Sequence, residues 1–161
     1  MNFNYDIVIK PIFNDYSTDN AIDNTINYIF RNKNTNRHGY WGIYPMTPDN
    51  AIKEFRNTRN ILPDNAAEIR VLHFVVCFSF RFNIMTVQQY ATLISQIFYN
   101  KYQLCYAIHK KSHGFHIHYI VSTTSYKPNI SPLIANEALL YLERVKQIFE
   151  KTGRTILIES Q

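Results

Sequence analysis

The sequence predicts an α+β fold in which helices flank one central antiparallel β-sheet. Strand-like and helix-like segments are mixed along the 161 residues, and two adjacent β-rich runs in the middle of the chain have the spacing of a hairpin. With 46% apolar and only 18% charged residues, the composition supplies enough apolar material for a core. We therefore expect residues 1–161 to form a single domain.

The first half of the chain is predicted to contain two strands and two helices. Residues 4–13 alternate in polarity and are rich in β-formers, which predicts the first strand. Isoleucines at helical spacing predict a helix that ends near Arg31, and residues 47–57 predict a second helix. Between these helices, residues 32–44 show no periodicity and are expected to form a basic loop. The long apolar run of residues 71–82 indicates a buried central strand.

The second half is predicted to begin with a helix over residues 87–99 and to continue with the hairpin. The hairpin strands are residues 102–109 and 115–123, joined by a short polar turn. Residues 136–151 predict a last amphipathic helix, and residues 155–159 a closing strand. The inward face of that last helix is expected to consist of Leu139, Leu140, Leu142, Val145 and Ile148 or Phe149.

The composition also narrows the class of function. No apolar run approaches the roughly 18 residues that a membrane helix needs, and the N-terminus lacks the pattern of a signal peptide, so we expect a cytoplasmic protein without membrane contact. The formal net charge of +5 favours an anionic partner such as nucleic acid. Only four glycines are present and none lies in a phosphate-cradling run, so nucleotide-binding loops of those kinds are not expected.

Three histidines near the hairpin form the strongest chemical signal in the chain. His116 and His118 are two residues apart, so an extended strand points both imidazoles to one face. His109 ends the preceding strand, and a hairpin can place it opposite the pair. Three neutral imidazoles can share one metal ion and leave coordination positions open, as in catalytic sites. By contrast, we expect His73 to pack or hydrogen-bond within its strand and His113 to be exposed in the turn.

A tyrosine is the best candidate for the nucleophile. The sequence has no serine or cysteine in a recognisable nucleophile elbow, but it has 12 tyrosines. A tyrosine hydroxyl, with a pKa near ~10, needs a base or a nearby positive charge before it attacks efficiently. Tyr28 lies at the end of the first predicted helix and precedes the basic loop, so cationic side chains follow it closely. We therefore choose Tyr28 as the candidate.

These features together resemble the relaxase domain of plasmid mobilisation and conjugation proteins, which belongs to the HUH endonuclease superfamily. The resemblance rests on the order of Ile-Asn-Tyr28-Ile in a helix, the strand His73-Phe-Val-Val-Cys-Phe, and the segments Tyr106-Ala-Ile-His and Phe115-His-Ile-His-Tyr-Ile-Val. It covers nearly the whole chain. It implies the two-layer or three-layer sandwich of that family, built around the central sheet predicted above.

The resemblance implies a DNA relaxase, a metal-dependent enzyme that nicks one DNA strand at a specific site and rejoins it. The metal would be bound by His109, His116 and His118 and would polarise the scissile phosphate. Tyr28 would attack that phosphate and retain it as a covalent 5′-phosphotyrosine intermediate. Mg²⁺ or Mn²⁺ is the expected ion, and Zn²⁺, Co²⁺ or Ni²⁺ is also compatible with three imidazoles. The biological role would be mobilisation of a plasmid or another mobile element.

The implied substrate is single-stranded DNA or an origin-of-transfer hairpin, and accessory mobilisation proteins are expected as further partners. Phosphate contacts and base stacking are expected from the basic loop and from the turn of the hairpin. The residues concerned are Arg31, Lys33, Arg37, Tyr40, Trp41, Lys110 and Lys111.

Two other functions remain open at this point. Other HUH enzymes, such as single-tyrosine transposases and rolling-circle replication initiators, place the tyrosine after the histidine pair, and Tyr141 would then be the nucleophile. The second alternative is a domain that binds single-stranded DNA on the same scaffold without cutting it. Relatives often carry an acidic residue shortly after the first histidine, where this chain has Lys110 and Lys111.

Overall fold

The centre of the structure is one six-stranded β-sheet. The computed structural model describes residues 5–12, 14–33, 35–62 and 67–159. The strands in chain order are β1 (Ile7–Ile12), β2 (Thr35–Trp41), β3 (Val71–Ser79), β4 (Tyr102–Lys111), β5 (Gly114–Ser125) and β6 (Ile156–Ile158). Across the sheet they follow the order β2-β4-β5-β3-β1-β6, and every neighbouring pair is antiparallel except β1 with β6. The predicted central antiparallel sheet is confirmed, and the parallel edge strand β6 makes it a mixed sheet.

In the described residues, four helices cover the two faces of the sheet. They are α1 (Ala21–Phe30), α2 (Pro48–Ile61), α3 (Ile84–Phe98) and α4 (Ala135–Glu150). Apolar side chains of α1 and α2 pack on one face, and those of α3 and α4 pack on the other. The chain therefore forms a three-layer α+β sandwich, which confirms the predicted fold class. No helix in the described ranges is long and apolar enough to cross a membrane.

The prediction of a basic loop over residues 32–44 is wrong, because Thr35–Trp41 form β2 at the edge of the sheet. This strand pairs with β4 on one side only, and the side chains of Arg37 and His38 are exposed. Edge strands commonly carry polar and charged residues, which hide the alternation by which buried strands are recognised. Arg37 and His38, which were expected on a loop, therefore lie on a strand that fixes the direction of their side chains.

The inward face of α4 also differs from the prediction. Leu139 and Leu140 are 51% and 62% exposed, so they do not belong to the core. The buried side chains of this helix are Tyr141, Leu142, Val145 and Phe149. The last three repeat at spacings of three and four residues, which places them along one stripe that faces the sheet. The leucine-rich start of the helix is consequently in contact with solvent.

Strand alternation gives β5 two chemically different faces. The side chains of β5 in the core beneath α3 and α4 are Ile117, Tyr119 and Val121. His116 and His118 alternate with these residues and therefore point to the α1–α2 side of the sheet. The strand register places His109 and His73 on that same side. We call this side of the sheet the histidine face, and we call these four histidines the cluster.

Candidate active site

The strand register brings the three predicted histidines together. His109 of β4 lies directly opposite His116 of β5, and His118 follows on the same face. Directly opposite residues of antiparallel strands point to the same side of a sheet, so the three imidazoles share the histidine face. The rings of His109 and His118 pack with their centroids 4.6 Å apart. The hairpin geometry expected from the sequence is therefore present.

A fourth histidine, His73, joins this group from β3. Its Nε2 lies 3.3 Å from Nδ1 of His118, and its Nδ1 lies 2.9 Å from the hydroxyl oxygen of Tyr16. The side-chain amide of Asn14 donates to the same hydroxyl oxygen at 3.2 Å. His73 hydrogen-bonds, as expected, but nothing in the sequence connects it or Tyr16 with His118. The two histidines are 45 residues apart, and only the register of β3 with β5 brings them together.

Both ring nitrogens of His109 have hydrogen-bond partners. Its Nε2 lies 2.7 Å from the backbone oxygen of Ile29, so Nε2–H donates to that carbonyl. Its Nδ1 lies 3.3 Å from the side-chain amide nitrogen of Asn32. Ile29 belongs to the last turn of α1, where carbonyl groups lack a partner within the helix. His109 therefore also anchors the end of the helix that carries Tyr28.

Burial keeps these histidines neutral at physiological pH. It lowers the pKa of His73 to about 4 and the pKa of His118 to about 2. Burial also lowers the pKa of His109, and it lowers the pKa of His116 to about 4, to which the positive charge of Lys111 contributes. Desolvation disfavours the charged form of each imidazole. The cluster therefore offers lone pairs rather than positive charges, which is the state in which imidazole binds metals.

The donor chemistry of the site fits a divalent metal ion. His118 has a hydrogen-bond partner at Nδ1, and His109 has one at Nε2 in addition to the Asn32 amide at Nδ1. A partner on the ring nitrogen that does not bind the ion is usual for metal-ligating histidines. In the described part of the chain, however, no group of three or more His, Cys, Asp or Glu side chains has an arrangement that could hold an ion. The three predicted ligands therefore share the histidine face without forming a ready-made ion site.

Tyr28 lies beside the histidines at the end of α1. Its ring centroid is 6.0 Å from that of His118 and 6.3 Å from that of His73, and both contacts are edge to face. The side chain is 61% exposed, so a DNA strand can reach its hydroxyl. A cavity of about 230 Å³ lies between Tyr28, the two histidines and Tyr16. The helix fixes this position because its apolar side chains, such as Ile26, are buried against the sheet.

A comparison with protein families connects this geometry with known proteins. Residues 28–132 match the family described as relaxase, MobA/VirD2-like, nuclease domain. The chain belongs to this family. Neither a curated protein nor a solved structure matches the chain. The matched span contains Tyr28 and the four clustered histidines, and membership makes relaxase-type DNA nicking the general function and DNA the substrate. Relaxases of this family generally use a divalent metal.

Three of the predicted DNA contacts of this relaxase domain lie close to its histidine face. Arg31 and Lys33 are exposed immediately after α1, near Tyr28. Lys111 is exposed and follows His109 by two residues on β4, so it points to the same side of the sheet. Arg31 and Lys33 therefore follow the helix that carries Tyr28, and Lys111 lies on the histidine face at the tip of the hairpin.

The other four predicted contacts are placed less favourably for DNA bound at the histidines. Arg37 and Lys110 point to the α3–α4 side of the sheet, as their strand partners show. Trp41 packs against the apolar core on that same side. Tyr40 is on the histidine face but buried, and its ring stacks on Phe30 with the centroids 5.3 Å apart. A nucleobase cannot stack on Tyr40 unless this contact is repacked.

The alternative nucleophile Tyr141 is separated from the histidines by the sheet. It belongs to α4, on the opposite face, and is 7% exposed. Its ring stacks on Phe98 with the centroids 4.9 Å apart. A phosphate held at the histidine face is out of reach of this hydroxyl. The geometry of the relaxase domain therefore favours Tyr28, which precedes the histidines in the sequence.

Proposed function

We propose that this chain nicks single-stranded DNA at a specific site and rejoins it, with Tyr28 as the nucleophile, during mobilisation of a plasmid or another mobile element. One observation carries the proposal: the exposed ring of Tyr28 packs edge to face on His118, within a group of four neutral imidazoles. Burying an imidazole stabilises the fold less than burying an apolar side chain in the same space, because the polar ring loses its hydration. Their grouping beside an exposed tyrosine on a basic chain supports a chemical role.

Tyr28 would act by transesterification. Its hydroxyl oxygen attacks the scissile phosphorus in line, a bond from phosphorus to tyrosine forms, and the bond to the 3′ oxygen breaks. The tyrosine gives up its proton, and the departing 3′ oxygen takes up a proton to become a hydroxyl. The 5′-phosphate stays on Tyr28. Because one phosphodiester replaces another, the 3′-hydroxyl can attack the phosphotyrosine in turn and restore the DNA strand.

His109, His116 and His118 are the proposed ligands of a divalent ion, with Mg²⁺ or Mn²⁺ expected and Zn²⁺, Co²⁺ or Ni²⁺ also suited to imidazole donors. When bound, the ion supplies Lewis-acid stabilisation of the negative charge that develops on the scissile phosphate. The chain itself selects the donor nitrogen of His109, because the Ile29 carbonyl accepts Nε2–H and leaves Nδ1 as the donor. The Asn32 amide must then release Nδ1.

The DNA strand would cross the histidine face between the end of α1 and the tip of the hairpin. Arg31 and Lys33 are available for phosphates on one side of the cluster, and Lys111 on the other. Phosphate contacts of this kind orient a strand without reading its sequence. The proposed substrate is single-stranded DNA, including the single-stranded part of an origin-of-transfer hairpin, and accessory mobilisation proteins are the proposed partners.

A covalent-adduct assay tests this function. The full chain is incubated with Mn²⁺ and labelled single-stranded oligonucleotides drawn from its neighbouring genomic DNA, and a denaturation-resistant protein–DNA adduct is expected. Tyr28→Phe should abolish the adduct because the attacking oxygen is gone. Tyr44→Phe is the matched control, because it removes a more exposed hydroxyl, 84% exposed, outside the cluster, and should leave the adduct unchanged.

The other outcomes of this assay are equally informative. An adduct that survives Tyr28→Phe would move the nucleophile to another tyrosine and refute the assignment. DNA binding without adduct or nicking, under every divalent ion named above, would identify a non-catalytic binder on the same scaffold. Religation of the nicked strand after addition of a 3′-hydroxyl oligonucleotide would show that the intermediate retains the energy of the broken bond.

A further inference from the structure

We propose that His73 and Tyr16 are positioning residues that hold His118 in the tautomer able to bind a metal ion through Nε2. The inference rests on the metal site of the proposed function and extends it to two residues outside the ligand set. It starts from a continuous hydrogen-bonded chain that runs from Tyr16 through His73 to His118, with distances of 2.9 Å and 3.3 Å.

Two arrangements of protons satisfy both bonds of this chain. In the first, the Tyr16 hydroxyl donates to Nδ1 of His73, and Nε2–H of His73 donates to Nδ1 of His118. The proton of His118 is then on Nε2, and this ring has no lone pair left for a metal. In the second, Nδ1–H of His118 donates to Nε2 of His73, and Nδ1–H of His73 donates to the Tyr16 oxygen. Only this second arrangement leaves a lone pair on Nε2 of His118.

Metal binding therefore selects the second arrangement, and the surroundings of Tyr16 are suited to it. The Tyr16 oxygen accepts from the Asn14 amide, and in this arrangement it accepts from His73 as well. Its own O–H is then free to turn into the cavity that Tyr16 lines together with Tyr28. A hydroxyl can reverse its role from donor to acceptor by rotation, so the chain can adopt either arrangement without moving a ring.

His73 takes the place that a carboxylate or carbonyl commonly has behind a ligating histidine. Such partners fix the tautomer and the orientation of the ring. The ionisable groups that act on His118 in the described chain are His109, His73, His116 and Lys111, and none is a carboxylate. His73 and Tyr16 are 4% and 7% exposed, so water is largely excluded as a competing partner. The tautomer of His118 therefore depends on these two side chains.

Metal titration of variants of the full chain tests the inference. Mn²⁺ affinity is measured by calorimetry without DNA. His73→Leu removes the acceptor for Nδ1–H of His118 and should weaken Mn²⁺ binding by about 10–100-fold. His73→Gln supplies an amide oxygen as acceptor and should restore most of the affinity. The Mn²⁺ affinity of Tyr16→Phe should lie between the affinities of these two variants. His38→Leu, at an exposed histidine outside the cluster, is the matched control and should bind as the wild type does.

A spectroscopic measurement gives a second readout that is independent of activity. Nitrogen NMR of ¹⁵N-histidine-labelled protein, loaded with diamagnetic Zn²⁺, reports which nitrogen of each ring carries the proton. The expected result is a proton on Nδ1 of His118 and metal on Nε2. In Tyr16→Phe, the His73 signals should shift because Nδ1 has lost its partner. A proton on Nε2 of His118 in the Zn²⁺ form would overturn the inference.

The titration also distinguishes failure of this inference from failure of the proposed function. If His73→Leu binds Mn²⁺ as tightly as His38→Leu, the positioning role is refuted while the metal site stands. If His73→Leu does not fold, the near-isosteric variants His73→Gln and Tyr16→Phe decide by affinity and by NMR. Wild-type protein that binds no divalent ion would refute the metal site and the inference together. Wild-type protein that binds metal but forms no Tyr28 adduct would refute only the proposed nucleophile.

Discussion

The two faces of the central sheet are built from the same strands but contain different chemistry. On the α3–α4 side, Phe74 of β3 stacks on Tyr119 of β5 with the ring centroids 4.8 Å apart. On the other side, the neighbouring residues His73 and His118 of the same two strands are joined by a hydrogen bond. A strand that alternates its side chains can thus stabilise the fold with one face and hold reactive groups with the other.

Burial has a different consequence on each face. Beneath α3 and α4 it contributes stability, because large apolar rings leave water. Beneath α1 it lowers the pKa of the histidines, so it determines their protonation state at some expense of stability. The comparison predicts that substitutions on the α3–α4 side change mainly the free energy of unfolding. Substitutions on the histidine face should change mainly the nicking activity.

Substitutions at two adjacent positions of β5, one on each face of the sheet, should show this difference between stability and activity most strongly. Ile117→Ala on the α3–α4 side should lower the free energy of unfolding by about 2–5 kcal/mol, because Ile117 is fully buried. At temperatures where this variant stays folded, it should still nick DNA. His118→Ala should abolish nicking, yet lower the free energy of unfolding by only about 1–3 kcal/mol, because it leaves Nε2 of the buried His73 without its hydrogen-bond partner. Urea unfolding and the adduct assay measure the two quantities.

This comparison fails if both variants lose stability and activity in parallel. Cys77→Ser, on the histidine face opposite His116, is a control for the site. Burial raises the pKa of the Cys77 thiol to about 11, so this group is a neutral thiol at physiological pH and is not expected to take part in nicking. Retained activity in Cys77→Ser would show that loss of nicking in His118→Ala is specific to the imidazole.

Acid should destabilise the metal-free protein through the histidine face. An unfolded histidine titrates near about 6.5, whereas the folded pKa of His73 and of His116 is about 4. Below pH 6.5 the unfolded chain therefore binds more protons, so the free energy of unfolding is highest above this pH and falls as the pH drops toward 4. Each such histidine contributes a slope of up to about 1.4 kcal/mol per pH unit. Denaturant unfolding at a series of pH values measures the slope.

His73→Gln should reduce this slope, because one titrating group is removed. Ile117→Val, on the opposite face, should lower the free energy of unfolding by a similar amount at every pH and leave the slope unchanged. Equal slopes for the wild type and His73→Gln would contradict the assignment of the acid sensitivity to this histidine.

The smallest expected effect concerns two adjacent lysines at the hairpin tip. Lys111 points to the histidine face and Lys110 to the other side. Lys111→Ala should weaken binding of single-stranded DNA several-fold and reduce the salt dependence of binding by the equivalent of about one phosphate contact. Lys110→Ala should have a smaller effect, although the change in net charge is the same. Fluorescence anisotropy at several salt concentrations measures both, and equal effects would indicate non-specific attraction.

Local patterns made much of this molecule predictable. The spacing of His116 and His118 was enough to predict that they share a face, since residues two apart on a strand point to the same side. The short turn of the hairpin was enough to predict that His109 lies next to them. Tyr28 could be placed because a helix with apolar residues at regular spacing was expected just before a cationic segment. The fold class followed from the mixture of strands and helices and from the central hairpin.

Features that depend on distant pairing could not be obtained in this way. The contact between His73 and His118 requires the register of β3 with β5, and the hydroxyl of Tyr16 comes from an irregular segment before α1. Strand β2 was interpreted as a loop because its polar residues are stabilised by pairing with β4 and not by burial. The exposure of Leu140 depends on how α4 is rotated on the sheet, which its own sequence leaves undetermined.

The bond from His109 to the Ile29 carbonyl has a consequence for the precision of the reaction. Ile29 directly follows Tyr28, so this hydrogen bond attaches the helix to the sheet one residue from the proposed nucleophile. In-line attack tolerates little error in position, and a misplacement of about 1 Å can slow a reaction by about 100-fold. The separation between the attacking oxygen and the imidazole nitrogens is therefore controlled by this hydrogen bond together with the apolar packing of α1 on the sheet.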